Sequence, residues 1–297
     1  MMIATDLDGT VVYSPTALAH AADLTPPGPA TPQVPTPRPS AGGPMVKPSA
    51  EGPMVNVESG DLVAYMGAPA ARDWARLAAR GLVVPVTTRS RRQYQRLRLP
   101  GRPAVHAIVC NGAQLLRDGQ PDPDWERQVR IEISGSAEPF ATVHAQAVAW
   151  HTEHGLARVW AVEEIFTYLT VTQRDAWPVG FAEHARDWAA ERGWRTSHQG
   201  RKLYFLPAVL DKATAVARLA ERLGVSRLVA GGDSLLDAEL LRHADFAIRP
   251  AHGELHRAGF TATNCRITAA SGLLAGDEIL KWYTEQADQE RGPTSGP

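Results

Sequence analysis

Short apolar runs that end in polar turns recur along the chain. Met2-Ile3-Ala4-Thr5 leads into Asp6-Leu7-Asp8-Gly9-Thr10, Leu82-Val83-Val84-Pro85-Val86 into Thr87-Thr88-Arg89-Ser90, and Leu228-Val229-Ala230 into Gly231-Gly232-Asp233-Ser234. Runs of this length bounded by turn residues predict buried strands. Helical periodicity fills the intervals. A helical stretch is expected from Arg91 to Leu97, and a longer one opens at Asp211-Lys212, puts Val216, Leu219 and Leu223 on one stripe, and stops at Gly224. Strands alternating with helices predict an α/β chain with a doubly wound, Rossmann-like parallel sheet. In such sheets ligands bind in the crevice at the carboxyl ends of the strands. Pro85 fits a core strand poorly, because proline cannot donate to a ladder and is normally confined to edges or bulges.

The same pattern divides the chain. Residues 1–114 and 203–297 read as the core, and 115–202 as a smaller α/β domain. Within the smaller domain helices are expected over 137–154 and 179–192, and strands over 157–162 and 166–171. A strand near 202–206 is expected to return the chain to the core. Between 25 and 53 the composition shifts to Pro, Gly, Ser, Thr and Ala, with Gly-Pro-Met-Val occurring at 43 and again at 52. Such a segment buries too little apolar surface to order itself and reads as a flexible, polyproline-like insert. It is a passive linker or, alternatively, a docking site for a protein with an aromatic groove. Residues 55–65 are expected to form a hairpin beside the site, and the tail from 286 reads as flexible.

Candidate chemistry sits at the strand exits. Asp6 and Asp8, one residue apart at a strand's end, can share a hard cation while one attacks phosphorus and the other moves a proton. Thr87 and Thr88 place hydroxyls and amides where a phosphate binds at a helix start. Lys212 lies in a first turn, where a cation opposes the helix dipole unless an anion is near. Asp233 and Asp237 are one helical turn apart and can face one cation. Taken singly, each also fits an ordinary turn, cap or solvated surface residue. An ordinary turn grammar does not explain why Asp and Asp, Thr, Lys, and Asp and Asp occupy four junctions in that order.

That ordered set resembles the haloacid dehalogenase superfamily of phosphatases. Val109-Cys110-Asn111-Gly112-Ala113 looks like the segment that leaves the core in the Cof-like and sucrose-phosphatase-like branch, whose cap domain lies between the second and third motifs. The resemblance implies Asp6 as nucleophile and Asp8 as general acid and base. It also implies Thr87, Thr88 and Lys212 as phosphate-binding groups. Mg²⁺ would be held by the Asp6 side chain, the Asp8 carbonyl, Asp233 and Asp237, the last directly or through water. Three positions depart from the branch's usual residues: Leu236 for Asn, Thr88 for Gly, and Ala213 for Gly. The implied activity is hydrolysis of a small phosphate ester, with a sugar phosphate favoured, through an aspartyl-phosphate. A sugar phosphomutase is the enzymatic alternative, and a phosphate-binding regulator recruited through the Pro-rich insert the non-catalytic one.

Composition narrows the partners. The net charge of −1 gives no global attraction to nucleic acid or to an anionic membrane. No stretch approaches the length of a bilayer span, and no basic segment followed by a long apolar run opens the chain, so a cytoplasmic enzyme is expected. Two cysteines, Cys110 and Cys265, make no disulfide framework. His151, His154, Trp160, Tyr168, Arg174, His198, Arg201, Lys202 and Tyr204 are candidates for facing the substrate. Arg201 and Lys202 lead this group because they lie where the chain re-enters the core.

Overall fold

The computed structural model describes residues 1–15, 46–49, 52–57 and 64–290. Five strands form one parallel sheet in the order Cys265–Ile267, Phe246–Arg249, Leu228–Gly231, Met2–Thr5 and Val83–Pro85. Because side chains alternate across a strand, each run feeds two apolar layers at once. Ile3, Val83, Val229 and Ile248 face one side, where Trp74 and Leu77 of the helix Ala68–Ala79 and Ile279, Leu280 and Tyr283 of Gly272–Gln289 cover them. Met2, Ala4, Val84, Ala230 and Ala247 face the other, against Val216 and Leu219 of Lys212–Arg222 and Leu240 and Leu241 of Ala238–His243. Helices on both faces make the sheet doubly wound, as the strand and helix periods imply.

Pro85 is accommodated by its place in this sheet. The Val86 N–H donates to the Thr5 carbonyl at 2.8 Å. By alternation the Pro85 nitrogen points away from Met2–Thr5, to the side where the sheet has no further strand level with it. Pairing on that side resumes one step later, with the Thr87 N–H donating to the Ile108 carbonyl at 2.9 Å.

A second, antiparallel sheet has four strands in the order Trp194–Gln199, Lys202–Pro207, Phe166–Thr170 and Arg158–Val162. The helices Phe140–Glu153 and Phe181–Ala190 pack on it through Trp150, Phe181 and Phe205. Lys202–Pro207 therefore completes the smaller sheet, and the chain turns to the core only after it. A helix and a strand are among the elements that lie where none was expected. Pro123–Ser136 is a helix started by Asp122, whose carboxylate accepts the Asp124 and Trp125 N–H groups. Trp194–Gln199 is a strand whose polar run, Arg195 to Gln199, hides its period.

Most of the Pro-rich insert expected at 25–53 lies outside the described residues. Its last part, Val46–Ser49 and Gly52–Asn56, pairs antiparallel, and Gly52–Asn56 pairs onward with Tyr65–Gly67. The disorder expected there is thus corrected for these strands, and the strands around 55–65 do pair. The tail is also shorter than expected: Gly272–Gln289 remains helical past 286, where Gln286 and Ala287 are buried against the core. Beyond residue 290 the expected tail lies outside the described residues. Among the described residues no helix is long and apolar enough to cross a membrane.

Candidate active site

Four strand exits of the parallel sheet converge at one end of a cleft of about 990 Å³, and the antiparallel sheet forms its opposite wall. Asp6 follows Met2–Thr5 directly, and its N–H is fixed by the Gly231 carbonyl at 2.9 Å. One carboxylate oxygen, Oδ1, accepts from Lys212 Nζ at 2.7 Å, and Oδ2 lies 3.4 Å from the Thr10 hydroxyl. Lys212 also donates to Asp237 Oδ1 at 2.6 Å. It is fully buried at the first position of its helix, so two carboxylates supply the anions that a first-turn cation requires. Asp211 caps that helix by accepting the Ala213 and Thr214 N–H groups.

Asp237 is saturated on its other oxygen by the Ser234 N–H and hydroxyl, at 2.9 and 2.8 Å. Those bonds leave it positioned chiefly to orient Lys212. Leu236 is buried and belongs to the same apolar cluster as Leu240, Leu241 and Val216, which accounts physically for an apolar residue there. Leu236→Asn is expected to lower stability by about 3 kcal/mol by burying an unpaired amide in an apolar layer. An unchanged denaturant midpoint would contradict that packing argument.

Asp6, Asp233 and Asp237 each bring a carboxylate oxygen within 4.8 Å of the others. Burial raises Asp6 to about 7; Lys212 opposes this, and repulsion from Asp237 and Asp8 reinforces it. Asp233 is pushed well above the usual carboxylate range, again by burial first and then by Asp6 and Asp237. Burial works against the charge of Lys212, but Asp237 and Asp6 outweigh it and hold the ammonium above its ordinary range. One ammonium does not balance three acids, and a cluster built only of oxygen donors suits a hard divalent cation such as Mg²⁺. The surrounding backbone fits that reading. Gly9, at φ +81°, and Gly253, at φ +84°, sit so close to Asp233 that an added Cβ would lie 2.6 and 2.7 Å from its Oδ2. Gly9→Ala is therefore expected to cost about 1–2 kcal/mol in backbone strain and to weaken Mg²⁺ binding, read by calorimetric titration alongside thermal melting.

The other expected residues divide. Thr87 is buried, and its hydroxyl accepts the Arg89 N–H at 3.1 Å; it lines the cleft with Thr88. The carboxylate of Asp8 stands apart from the acidic cluster, held by Arg89 through two bonds of 2.7 Å. Cys110-Asn111-Gly112 ties the exit of Val83–Pro85 to the residues just before the Lys212 helix. The Cys110 and Asn111 N–H groups donate to the Arg89 and Thr87 carbonyls at 2.8 and 3.0 Å, and Asn111 Nδ2 donates to the Leu210 carbonyl at 3.2 Å. Asn111 adopts φ +56° to do so.

Two groups in this site were not singled out from the sequence. Arg89 is the first. The second is His252, whose Nδ1 accepts the Gly272 N–H at 3.1 Å, leaving Nε2 to donate to the Gly9 carbonyl at 2.8 Å. Burial lowers the pKa of His252, which suits a neutral ring donating from one nitrogen and accepting at the other. It braces the turn that holds Asp8 and Gly9. His252 follows the strand Phe246–Arg249, so the same strand-then-turn pattern was available to find it.

From the antiparallel sheet and its adjoining loops the cleft receives Tyr168, Arg174, Arg201, Lys202 and Tyr204, but not His151, His154, Trp160 or His198. His154 and His198 pack against Phe181 and Trp177. Lys202 lies over the Tyr168 and Tyr204 rings at 5.6 and 5.9 Å.

No family model and no curated protein sequence matches the chain. Solved structures do. A Synechocystis sp. sucrose-phosphatase in complex with sucrose and phosphate superposes with a TM-score of 0.56 at 15% identity, over 77% of this chain and 93% of that one. A trehalose-6-phosphate phosphatase related protein gives 0.55 at 15% identity, over 98% and 100%. A haloacid dehalogenase-like hydrolase from Bacteroides thetaiotaomicron gives 0.53 at 11% identity, over 96% and 98%. The parallel core, the separate antiparallel cap sheet and these superpositions agree: the chain has the haloacid dehalogenase fold, with the cap sheet inserted between Thr87 and Lys212.

Proposed function

We propose that the protein is a Mg²⁺-dependent phosphatase that hydrolyses a small phosphorylated metabolite, a sugar phosphate by preference, through an aspartyl-phosphate. The observation that carries this reading is the placement of Asp6, paired with Lys212 at 2.7 Å, beside Asp233 and Asp237 at the open end of a parallel sheet. Binding alone requires neither a carboxylate facing the anion nor a second acid within the same turn. We take residues 1–114 and those after the cap sheet as the catalytic core, and 115–202, together with the rest of the strand that ends at Pro207, as the cap.

In this reading an Asp6 oxygen attacks phosphorus and the bond to the leaving oxygen breaks. Asp8 gives that oxygen its proton. Asp8 then takes a proton from water as the water attacks the aspartyl-phosphate, which releases inorganic phosphate and restores Asp6. The Arg89 guanidinium is held by Asp8 through two bonds. A phosphate competes for it, which frees the carboxyl for proton transfer. Thr87, Thr88 and Lys212 hold the phosphoryl oxygens, with Lys212 fixed in place by Asp237. Asp6, the Asp8 carbonyl and Asp233 would hold Mg²⁺, with Asp237 through water, and the ion when bound neutralises the charge between the attacking carboxylate and the phosphoryl group. The cap walls off the cleft and retains the leaving group.

The test is incubation with Mg²⁺ and a panel of phosphomonoesters, with a chelator control. Release of inorganic phosphate that ceases on chelation supports hydrolysis. Transfer of phosphate to another hydroxyl of the same sugar replaces it with a mutase, and binding of phosphate esters without turnover replaces it with a regulator.

A further inference from the structure

The cleft is far larger than a phosphate group, and its two walls differ in charge. All four carboxylates that line it, Asp6, Asp8, Asp233 and Glu254, come from the core, where Arg89, Arg96 and Arg257 stand among them. The cap contributes Arg174, Arg201 and Lys202, with Gln173, Gln199 and Tyr204 between them, and no acid. These three cations form no ion pair among the described residues. Asp8 attracts Lys202 from the core side, and the nearer partners of the three are neutral. Arg201 Nη1 donates to the Thr172 carbonyl at 3.2 Å, Lys202 stands over two tyrosine rings, and Arg174 passes beside Gly200. The three like charges are exposed on one wall of the cleft, an arrangement that suits a bound anion. A neutral polyol needs hydrogen-bond donors and acceptors there, which the two glutamines and the tyrosine already supply.

The scissile phosphate does not account for these cations. Its charge is met at the core end by Lys212, by Thr87 and by the cation that the three acids suit. Resting on the phosphatase reading above, we infer that the substrate carries a second anionic group, a carboxylate or another phosphate, on the leaving-group side. Arg174, Arg201 and Lys202 of the cap bind it. Arginine offers a planar fork for such a group, while lysine offers a point charge. Selectivity then follows from charge: the acidic substrate gains attraction at the cap, and the neutral analogue does not.

The experiment compares, with the full-length protein and Mg²⁺, a sugar monophosphate, the phosphorylated sugar acid of the same carbon length, and the sugar bisphosphate. p-Nitrophenyl phosphate reports on the core chemistry alone. The expected result is a kcat/KM at least about tenfold higher for one of the doubly anionic esters than for the neutral-headed one. Lys202→Gln and, independently, Arg174→Gln should shrink that ratio by about tenfold through KM, and Lys202→Arg should preserve it. Turnover of p-nitrophenyl phosphate with no preference between neutral and doubly anionic esters overturns the inference and leaves the phosphatase reading standing. Equal losses on both ester types in Lys202→Gln and Arg174→Gln overturn it as well. Failure to hydrolyse any ester overturns the phosphatase reading, and this one with it.

Discussion

Asp6→Asn is expected to abolish turnover, by about 10⁴-fold or more in kcat, while leaving the protein folded. The amide keeps the volume of the carboxylate and loses only its nucleophilicity, so the nearly complete burial of residue 6 is preserved. Stability gives a second reading of the same variant. Burial raises the Asp6 carboxyl in the folded chain from 3.8 to about 7. A carboxyl whose folded value exceeds its unfolded one stabilises fully below the unfolded value, and that contribution is lost as pH rises through the folded value. The metal-free wild type should therefore lose stability between pH 4 and 8 relative to Asp6→Asn, and added Mg²⁺ should narrow the gap. Lys212 keeps Asp237 as its partner in the variant, so the helix start survives. A variant that turns over esters at the wild-type rate removes the covalent mechanism. A melting difference that does not change with pH removes the electrostatic account of residue 6.

How much of this site the sequence disclosed follows from where each group sits. Asp6, Thr87, Lys212, Asp233 and Asp237 all lie at or just past the end of an apolar run, where a change from buried strand to polar turn marks the position locally. The structure brings four of them, the acids and the lysine, into direct contact or within 4.8 Å. The partnership of Asp8 with Arg89 spans 81 positions, and no local period encodes it. His252 acts through a carbonyl and an amide rather than through a charge, so composition gave no sign of it. In the cap, Pro123–Ser136 was announced by an Asp before a Pro, a helix-start signal, but its mixed face blurred the apolar stripe. Trp194–Gln199 is mostly polar, and its two buried residues, Trp194 and Ser197, are three apart, so no period of two marks it. Pro85 shows the converse: a residue that argued against a core strand is admitted because its ring faces the side where pairing lapses.

Lys212→Met should be the most damaging single change to stability, at about 3–5 kcal/mol, because it leaves Asp6 and Asp237 buried without their shared cation. Methionine fills nearly the same space and suits a helix, so packing and propensity cannot carry the loss. The cost is electrostatic. Lys212 is fully buried and bridges two carboxylates at 2.7 and 2.6 Å, and removing it turns a cluster of three acids and one ammonium into three acids alone. Those acids can recover only by binding protons or metal. The variant should thus regain much of its lost stability at pH 4–5, where protonation relieves the repulsion, and in millimolar Mg²⁺ near neutral pH, where a cation does so. Turnover should stay low in both conditions, since the phosphoryl group has lost its ammonium. Denaturant melts of wild type and Lys212→Met across pH, with and without Mg²⁺, measure this directly. A loss of stability that neither acid nor Mg²⁺ relieves would mean that Lys212 serves the core by packing, and that the three carboxylates are not the charged cluster on which the metal site depends.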